Sequence, residues 1–253
     1  SRRRAAISCS FMARRVSQIE QQLRSIGSAA RARQSLRFFR TAPGEYGEGD
    51  RFLGLSVPQV RALASQHADL PLPQVRALLK SPWHESRLLA LMILVDDFRQ
   101  GDVRQRSRVA KLYLDNLQWV NNWDLVDSSA HLILGPHLPR GSRQLLDTLS
   151  RSSSLWERRI AMLATLHYIR QHEFGDALRI ARRLLRDEHD LIHKAVGWML
   201  REIGKMDEAR LRGFLDRHAA RMPRTMLRYA IERLPPGSRS RYMQLKTQRL
   251  PKS

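Results

Sequence analysis

Apolar residues recur at helical spacing along most of the chain, from about Val16 onward, in stretches of roughly 10 to 20 residues. Short segments rich in glycine and proline separate these stretches, and no stretch shows the alternation that is typical of β-strands. The separating segments are residues 44–50, 71–73, 81–82, 101, 135–136, 175, 204 and 235–237. The pattern predicts an all-α protein built from about a dozen short amphipathic helices.

Residues that favour the start of a new helix recur along the chain. They are Ser56 before Val57 and Pro58, Ser81 before Pro82, Asn122 before Trp123, and Asp207 before Glu208. Many short helices joined by tight turns stack more readily as antiparallel pairs than as one bundle. We therefore predict an α-solenoid of HEAT-like antiparallel helix pairs, in which basic ridges line a concave groove.

The length and composition fit a globular protein with a substantial core. The chain has 253 residues, of which 42% are hydrophobic and 27% are charged. Residues 1–11 are basic and lack a periodic pattern, so we expect a disordered leader there. A single helical domain is expected over residues 12–237, followed by a basic tail over residues 238–253.

The charge of the chain points to a polyanionic partner. Lys and Arg together number 45 against 24 Asp and Glu, which gives a formal net charge of +21. An excess of this size favours binding to nucleic acid. Because almost all of the cations are arginines, a bias of genome composition stays open as an alternative source of the charge.

Other classes of protein are disfavoured. The longest apolar run, Leu88–Val95, is far shorter than the ~20 residues that a membrane-spanning helix needs. Cys9 is the only cysteine, so an internal disulfide and a thiolate zinc site are excluded, which favours a cytoplasmic location. The histidine pairs at 167/172 and 189/193 lack the acidic residues of a hydrolytic metal signature. We expect a monomer with no metal, no organic cofactor and no membrane contact.

One predicted helix displays a tryptophan among cations on its polar side. Its apolar face consists of Ile192, Val196, Met199 and Ile203, whereas the opposite side carries Lys194, Trp198, Arg201 and Lys205. A large exposed ring flanked by cations favours a negatively charged partner that itself bears rings. This helix therefore indicates nucleic acid.

A second basic ridge lies in the predicted helix that begins near Pro223. The core stripe of that helix consists of Leu227, Ala230, Ile231 and Leu234, and Arg221, Arg224 and Arg228 align on another side. A phosphate-binding ridge and an ordinary solvated face both fit these three arginines.

A carboxylate is predicted within the basic groove. A helix that begins at Asn122 turns Val126, Ala130 and Ile133 toward the core and sets Trp123 and Asp127 side by side on the flank of that stripe. A carboxylate in such a groove repels phosphates, which suggests that Asp127 has a chemical task. A structural role for Asp127, as a helix cap or an ion-pair partner, stays open.

An arginine is predicted to lie on an apolar helix face. The segment Leu155–Arg170 has a broad apolar side, with Arg159 near its centre and Trp156 within the same stripe. A desolvated guanidinium needs an anion, so we expect Arg159 to meet either a protein carboxylate, such as Asp127, or a substrate phosphate. Trp156 is expected to belong to the core.

Three strings of the sequence resemble the AlkD-type DNA alkylation repair glycosylases. They are Asn122-Trp123-Asp124-Leu125-Val126-Asp127-Ser128, Leu155-Trp156-Glu157-Arg158-Arg159 and Lys194-Ala195-Val196-Gly197-Trp198-Met199-Leu200-Arg201-Glu202. The string Phe52-Leu53-Gly54-Leu55, followed by Pro58, is similar as well, and the resemblance runs from about Met12 to Leu234. Two departures are that Asn122 stands where the best-known member has a second tryptophan, and that residues 44–50 form a longer acidic loop, which leaves the role of Tyr46 open.

The resemblance implies a HEAT-like fold and the excision of positively charged alkylated purines, of the N3-methyladenine and N7-methylguanine class, from duplex DNA. By motif, it assigns the essential carboxylate to Asp127, the paired tryptophans to Trp123 and Trp198, and the arginine of the catalytic site to Arg159. It implies no metal and no cofactor. The expected DNA-binding residues are Lys194, Arg201, Lys205, Arg224 and Arg228.

Two other classes of function stay open at this point. A non-catalytic helical-repeat scaffold would bind DNA or structured RNA through the same groove and would leave Asp127 a structural role. Salt-sensitive binding without release of a base would favour that scaffold. A peptide-binding solenoid would bind regardless of nucleic-acid competitors, and the charge of the chain argues against it.

Overall fold

The computed structural model describes residues 2–139 and 142–245, with side chains from residue 14 onward. Within those residues every regular element is a helix, and one isolated bridge joins Arg51 and Trp83. The chain divides into two compact units, Ser1–Ser129 and Ala130–Ser253, which we call unit 1 and unit 2.

Unit 1 is built around its fifth helix. Its α-helices are α1 (Arg2–Ser25), α2 (Ala29–Phe38), α3 (Val57–Gln66), α4 (Leu72–Leu79), α5 (His84–Gln100), α6 (Val103–Leu114) and α7 (Trp123–Asp127). Helices α1, α3, α4, α6 and α7 all pack against α5. Because α5 has neighbours on several sides, most of its side chains are buried, and this explains the apolar run Leu88–Val95.

Unit 2 is built around α13. Its α-helices are α8 (Ala130–His137), α9 (Gln144–Leu149), α10 (Leu155–Ala164), α11 (Leu166–Ile169), α12 (Gly175–Arg183), α13 (Asp190–Met206), α14 (Glu208–His218), α15 (Arg224–Ile231) and α16 (Pro236–Gln244). Helices α10, α14 and α15 pack against α13. The predicted apolar face of α13 is confirmed, because Ile192, Val196, Met199 and Ile203 are all fully buried.

Three of the four predicted helix starts are confirmed. Ser56 caps α3 and its backbone N–H donates to the Gln59 side chain at 2.9 Å, while Asn122 caps α7 and Asp207 caps α14. The prediction for Ser81 is wrong, since α5 begins at His84 and its cap position is Trp83. The Ser81 hydroxyl is engaged elsewhere, because it donates to a Glu20 carboxylate oxygen at 2.5 Å.

The spacing of apolar residues predicts one continuous helix from Asn122 and another over Leu155–Arg170. In the structure, a hydroxyl side chain interrupts each of them. Helix α7 ends at Asp127 and α8 begins at Ala130, and between them the Ser129 hydroxyl donates to the Leu125 carbonyl at 2.6 Å. Helix α10 likewise gives way to α11 at Thr165, whose hydroxyl donates to the Met162 carbonyl at 2.6 Å. Such bonds compete with the helical hydrogen-bond ladder, and periodicity alone does not reveal them.

The ends of the chain are only partly described. Helix α1 includes residues 2–11, whose side chains lie outside the described part, so the disordered leader over residues 1–11 stays a prediction. The predicted tail over residues 238–253 begins inside α16, where Tyr242 is buried, and its residues 246–253 lie outside the described part. No helix among the described residues is long and apolar enough to cross a membrane.

Candidate functional site

The short helix α7 carries two of the predicted catalytic residues, Trp123 at its first position and Asp127 at its last. The Asn122 side chain caps the helix by accepting the Trp123 backbone N–H at 2.8 Å. Leu125 and Val126 are fully buried, and they fix the opposite side of the helix in the core. Trp123 and Asp127 are half-buried, as expected for residues on the flank of the buried stripe.

Trp123 belongs to an aromatic cluster that sequence reasoning did not anticipate. The ring of Phe39 stacks on it with 5.4 Å between centroids and 22° between planes. Phe38 meets it edge-on at 5.7 Å and 70°. Phe39 also stacks on Phe52 at 4.9 Å, and Phe52 stacks on the imidazole of His84 at 4.6 Å. These contacts define the plane of the indole before any ligand is bound.

His84 joins two carboxylates beneath this cluster. Its Nδ1 lies 3.0 Å from a carboxylate oxygen of Asp50, and its Nε2 lies 2.8 Å from one of Asp124. Burial by itself would lower the pKa of His84, but the charges and hydrogen bonds of Asp124 and Asp50 outweigh it and raise the pKa to about 9. His84 is therefore an imidazolium at neutral pH.

Asp50 is the acidic centre of the same network. Its side chain is only 4% exposed, and it pairs with the buried Arg87 and accepts a hydrogen bond from the Asn122 amide at 3.2 Å. Burial would raise the pKa of Asp50, but His84 and Arg87 together hold it below its usual value. Through Asp124 and Asn122, this network fixes the first turn of α7.

The turn at Gly54 is held by a buried carboxylate. Glu85 accepts three consecutive backbone N–H groups, from Leu53 at 2.9 Å, Gly54 at 2.8 Å and Leu55 at 3.2 Å. Gly54 has φ of +79°, and a Cβ there would lie 2.1 Å from the Ser28 carbonyl oxygen, so the turn requires glycine. The turn thereby connects the start of α2 to α5.

Asp127 places a carboxylate at the C-terminal end of α7. Negative charge is disfavoured at this end of a helix dipole. The charge of Asp127 also affects Tyr113. Burial is the main cause that raises the pKa of Tyr113, and the nearby charge of Asp127 raises it further. The Tyr113 hydroxyl lies 3.0 Å from that of Ser129.

Arg159 is buried in unit 2, as the sequence predicts. It is 5% exposed, and one of its guanidinium nitrogens donates to the Leu191 carbonyl at 2.5 Å. This bond links α10 to the first turn of α13 and directs the guanidinium. Trp156, predicted for the core, is half-buried, so that prediction holds only in part.

Trp198 is half-buried on α13, on the side opposite the apolar face. Its indole N–H donates to the Glu202 carboxylate at 3.1 Å, one helical turn later. The preceding Gly197 lets α15 come very close, because a Cβ there would lie 2.5 Å from the Met226 carbonyl oxygen. Close backbone packing beside Trp198 thus restricts where the indole lies.

Most of the predicted DNA-binding cations have protein partners. Lys194 pairs with Asp190 at 2.8 Å, Lys205 with Glu202 at 2.6 Å, and Arg201 with Glu232. Arg224 donates to the Met243 carbonyl at 2.6 Å, so it holds α16. Arg228 is exposed, and among the described residues it has no hydrogen bond or ion pair. Asp190 and Glu202, which lie on α13 about one turn from these lysines, therefore reduce the net positive charge of the basic side of α13.

The predicted catalytic residues are thus divided between the units. Unit 1 holds Trp123 and Asp127 on α7, and unit 2 holds Arg159 on α10 and Trp198 on α13. Sequence reasoning missed the residues that position α7, namely Phe38, Phe39, Asp50, His84 and Asp124. Asp124 lies within a recognised string, but His84 has no local signal, because its two acidic partners are distant in sequence. Among the described residues, no group of three or more His, Cys, Asp and Glu is arranged to hold a metal ion.

The sequence matches a protein family described as DNA alkylation repair enzyme over residues 19–234. The chain belongs to this family. Its role is therefore in DNA alkylation repair, as the resemblance of the three strings predicts. Comparison with curated proteins gives no significant match.

A solved structure shows the same fold. A predicted DNA alkylation repair enzyme from Enterococcus faecalis is 16% identical, with a TM-score of 0.64, over 83% of this chain and 97% of its own. A protein from Streptococcus mutans UA159 is 15% identical with a TM-score of 0.46, over 82% of this chain and 88% of its own. The first similarity confirms the predicted all-α, HEAT-like fold class.

Proposed function

We propose that the protein is a DNA glycosylase that hydrolyses the N-glycosidic bond of positively charged alkylated purines in duplex DNA. N3-methyladenine and N7-methylguanine are the expected class of lesion. The observation that carries the proposal is the arrangement on α7, where a half-exposed carboxylate and a half-exposed indole lie on one short helix. Membership of the DNA alkylation repair enzyme family supports a role for this chemistry in the repair of alkylated DNA.

The chemistry of the lesion explains why a carboxylate is needed. Alkylation at a ring nitrogen gives the base a positive charge and makes it a good leaving group. As the bond breaks, positive charge moves to the deoxyribose, so the transition state resembles an oxocarbenium ion. Asp127 stabilises this developing charge and orients the attacking water, as carboxylates do in other glycoside hydrolyses.

The two tryptophans assist by the same electrostatic principle. The electron-rich face of an indole attracts a cation, and each contact is worth roughly 0.5 to 2 kcal/mol. In this proposal Trp123 and Trp198 contact the deoxyribose as it acquires charge. The rigid setting of Trp123 against Phe39 means that little reorganisation is needed when the substrate binds.

Arg159 holds the phosphate next to the lesion in this proposal. Its bond to the Leu191 carbonyl orients the guanidinium at the first turn of α13. The reaction uses water alone, and we propose that a monomer performs it in the cytoplasm without a metal or an organic cofactor. The enzyme grips backbone and sugar, which restricts it to bases whose bond is already weakened by charge.

The test is release of the base from a defined duplex. The protein is incubated with an oligonucleotide duplex that carries one N7-methylguanine, and abasic sites are cleaved with alkali and counted. The proposal predicts abasic sites at the lesion well above the spontaneous background. Salt-sensitive binding with no release above background would instead identify a non-catalytic scaffold.

A further inference from the structure

Helix α2 is anchored at both ends and exposed along its length. The Ser28 backbone N–H donates to the Leu53 carbonyl at 2.9 Å, which ties the start of the helix to the Gly54 turn. At the other end, Phe39 stacks on Phe52 and Trp123. No side chain of α2 is buried, although the structure describes all of its residues. A helix held in this way contributes little core and instead presents a surface.

The surface of α2 is cationic and carries no acid. Its arginines are Arg31, Arg33 and Arg37, and Arg40 follows directly after Phe39. Arg33 and Arg37 are four residues apart, so their like charges repel on one helix face. Among the described residues, neither they nor Arg40 have a hydrogen bond or ion pair from their side chains.

The nearest acids in sequence do not neutralise these arginines. Glu45 accepts the Ala42 backbone N–H at 3.1 Å, and Glu48 accepts that of Gly44 at 2.8 Å. Both carboxylates are therefore engaged by the loop that contains them. The unpaired positive charge of α2 is complementary to a phosphate backbone.

Arg40 has an unusual backbone conformation. Its φ of +49° lies in the left-handed region, which side-chain-bearing residues rarely adopt and where glycine is preferred after a helix. The Arg40 carbonyl accepts the Gly47 backbone N–H at 3.0 Å, so the loop fixes this geometry. The loop therefore holds an exposed, charged side chain at the turn that follows α2.

Phe38 connects this surface to the candidate site. The residue is 65% exposed, which is high for a phenylalanine, and its ring meets Trp123 edge-on at 5.7 Å between centroids. An exposed ring beside an indole, with cations nearby, is the combination that proteins use to stack nucleobases while holding the phosphates.

We propose that α2 and Arg40 form a duplex-binding surface next to Trp123, in which Arg33, Arg37 and Arg40 contact phosphates and Phe38 stacks on a nucleobase at the lesion. The phosphate contacts stand on charge and exposure alone, whereas the role of Phe38 at the lesion rests on the proposed function. A DNA duplex is the single partner proposed for this surface.

The phosphate contacts are tested on undamaged duplex DNA, so the result does not depend on excision. Binding of wild type and of the double variant R33A/R37A is measured as a function of salt concentration. The double variant R104A/R108A removes the same charge from α6, where both arginines are also exposed and have no ion pair among the described residues.

Loss of a phosphate contact lowers the slope of log affinity against log salt by about 0.9 in magnitude. R33A/R37A is expected to lower the slope by this amount for each arginine, and to bind at least tenfold more weakly at low salt. R104A/R108A is expected to keep the wild-type slope. Equal effects of the two double variants would overturn the phosphate contacts.

The stacking contact is tested with a duplex that contains one unpaired base. Wild type is expected to bind this duplex more tightly than a fully paired one, and Phe38→Ala is expected to lose at least fivefold of that preference, in line with alanine substitution at base-stacking residues. Phe38→Tyr keeps the ring and is expected to retain the preference. Leu36→Ala, an exposed apolar residue of the same helix, is the control.

Retention of the preference in Phe38→Ala would overturn the stacking contact. If wild type binds as described but releases no methylated base, the proposed glycosylase function fails while the binding surface stands. The failure of one proposal is thus distinguishable from the failure of the other.

Discussion

The two tryptophans that the sequence predicts as catalytic are positioned by different physical means. In unit 1, Trp123 begins a five-residue helix that is held by stacked rings and by the charged network of Asp50, His84 and Asp124. In unit 2, Trp198 lies in the middle of a 17-residue helix that is held by apolar burial and by close packing at Gly197. A short helix has little stability of its own, so α7 depends on directional bonds, whereas α13 does not.

This difference predicts different sensitivities. The setting of Trp123 depends on a few charged groups and responds to their removal and to pH. The setting of Trp198 depends on shape and responds to added volume. The setting of each tryptophan can therefore be disturbed without disturbing the other.

Removal of the central carboxylate of unit 1 is expected to have the largest effect. Asp50→Ala leaves the buried charges of Arg87 and His84 without their shared partner, and breaking a buried pair costs about 3 to 5 kcal/mol. Urea denaturation measures the free energy of unfolding. Asp115→Ala removes an exposed carboxylate that pairs with Lys111, and it should cost about 1 kcal/mol or less. Similar losses in both variants would contradict the structural role of the network.

The stability of unit 1 is expected to fall as pH rises toward 9. His84 has a pKa of about 9 in the folded protein against 6.5 as its ordinary value, so folding takes up a proton between these values. Its contribution, roughly 3 kcal/mol, is complete below pH 6.5 and is lost as pH rises through about 9.

The measurement is the difference in unfolding free energy between wild type and His84→Gln across this range of pH. The difference should be largest near pH 6 and should shrink steadily toward pH 9. A difference that does not change with pH would show that His84 stays neutral between its two carboxylates.

Added volume beside Trp198 is expected to destabilise unit 2. Gly197→Ala places a methyl group 2.5 Å from the Met226 carbonyl oxygen, and overpacking of this kind costs about 1 to 3 kcal/mol. Gly213→Ala on α14 is the matched control, because a Cβ there meets only the end of the Arg217 side chain at 3.9 Å. That control should gain up to about 1 kcal/mol from helix propensity. The reverse order in thermal denaturation would be inconsistent with close packing of α13 and α15.

The smallest effects are expected among the cations of unit 2. Arg228 is exposed without an ion pair among the described residues, whereas Lys205 is paired with Glu202 at 2.6 Å. Arg228→Ala should therefore lower the salt dependence of DNA binding by about 0.9, the effect of one phosphate contact, and Lys205→Ala should lower it by less. A larger effect of Lys205→Ala would mean that its pairing with Glu202 yields to DNA.

Local patterns in the sequence predict most of the helices and the apolar face of α13, the helix that carries Trp198. The apolar stripe of α13 and the caps Ser56, Asn122 and Asp207 follow from spacing of three to four residues and from side-chain chemistry at helix ends. Such signals lie within one or two turns of the chain. They predict elements and the faces of elements.

The residues that position α7 have no such signal. His84 meets Asp50 and Asp124 across 34 and 40 residues of chain, and Glu85 reaches Gly54 across 31. These partners are neighbours only once α5 is packed at the centre of unit 1. The breaks at Ser129 and Thr165 depend on which way one hydroxyl turns, which spacing does not predict.

The central claim is that Asp127 acts on the reacting sugar. The most direct measurement is the single-turnover rate of N7-methylguanine release by Asp127→Asn and by wild type at saturating enzyme, with duplex affinity measured in parallel. We expect the rate constant to fall about 100-fold or more while affinity stays within a few-fold, because the lost interaction exists mainly in the transition state. Release at the wild-type rate by Asp127→Asn would contradict the claim.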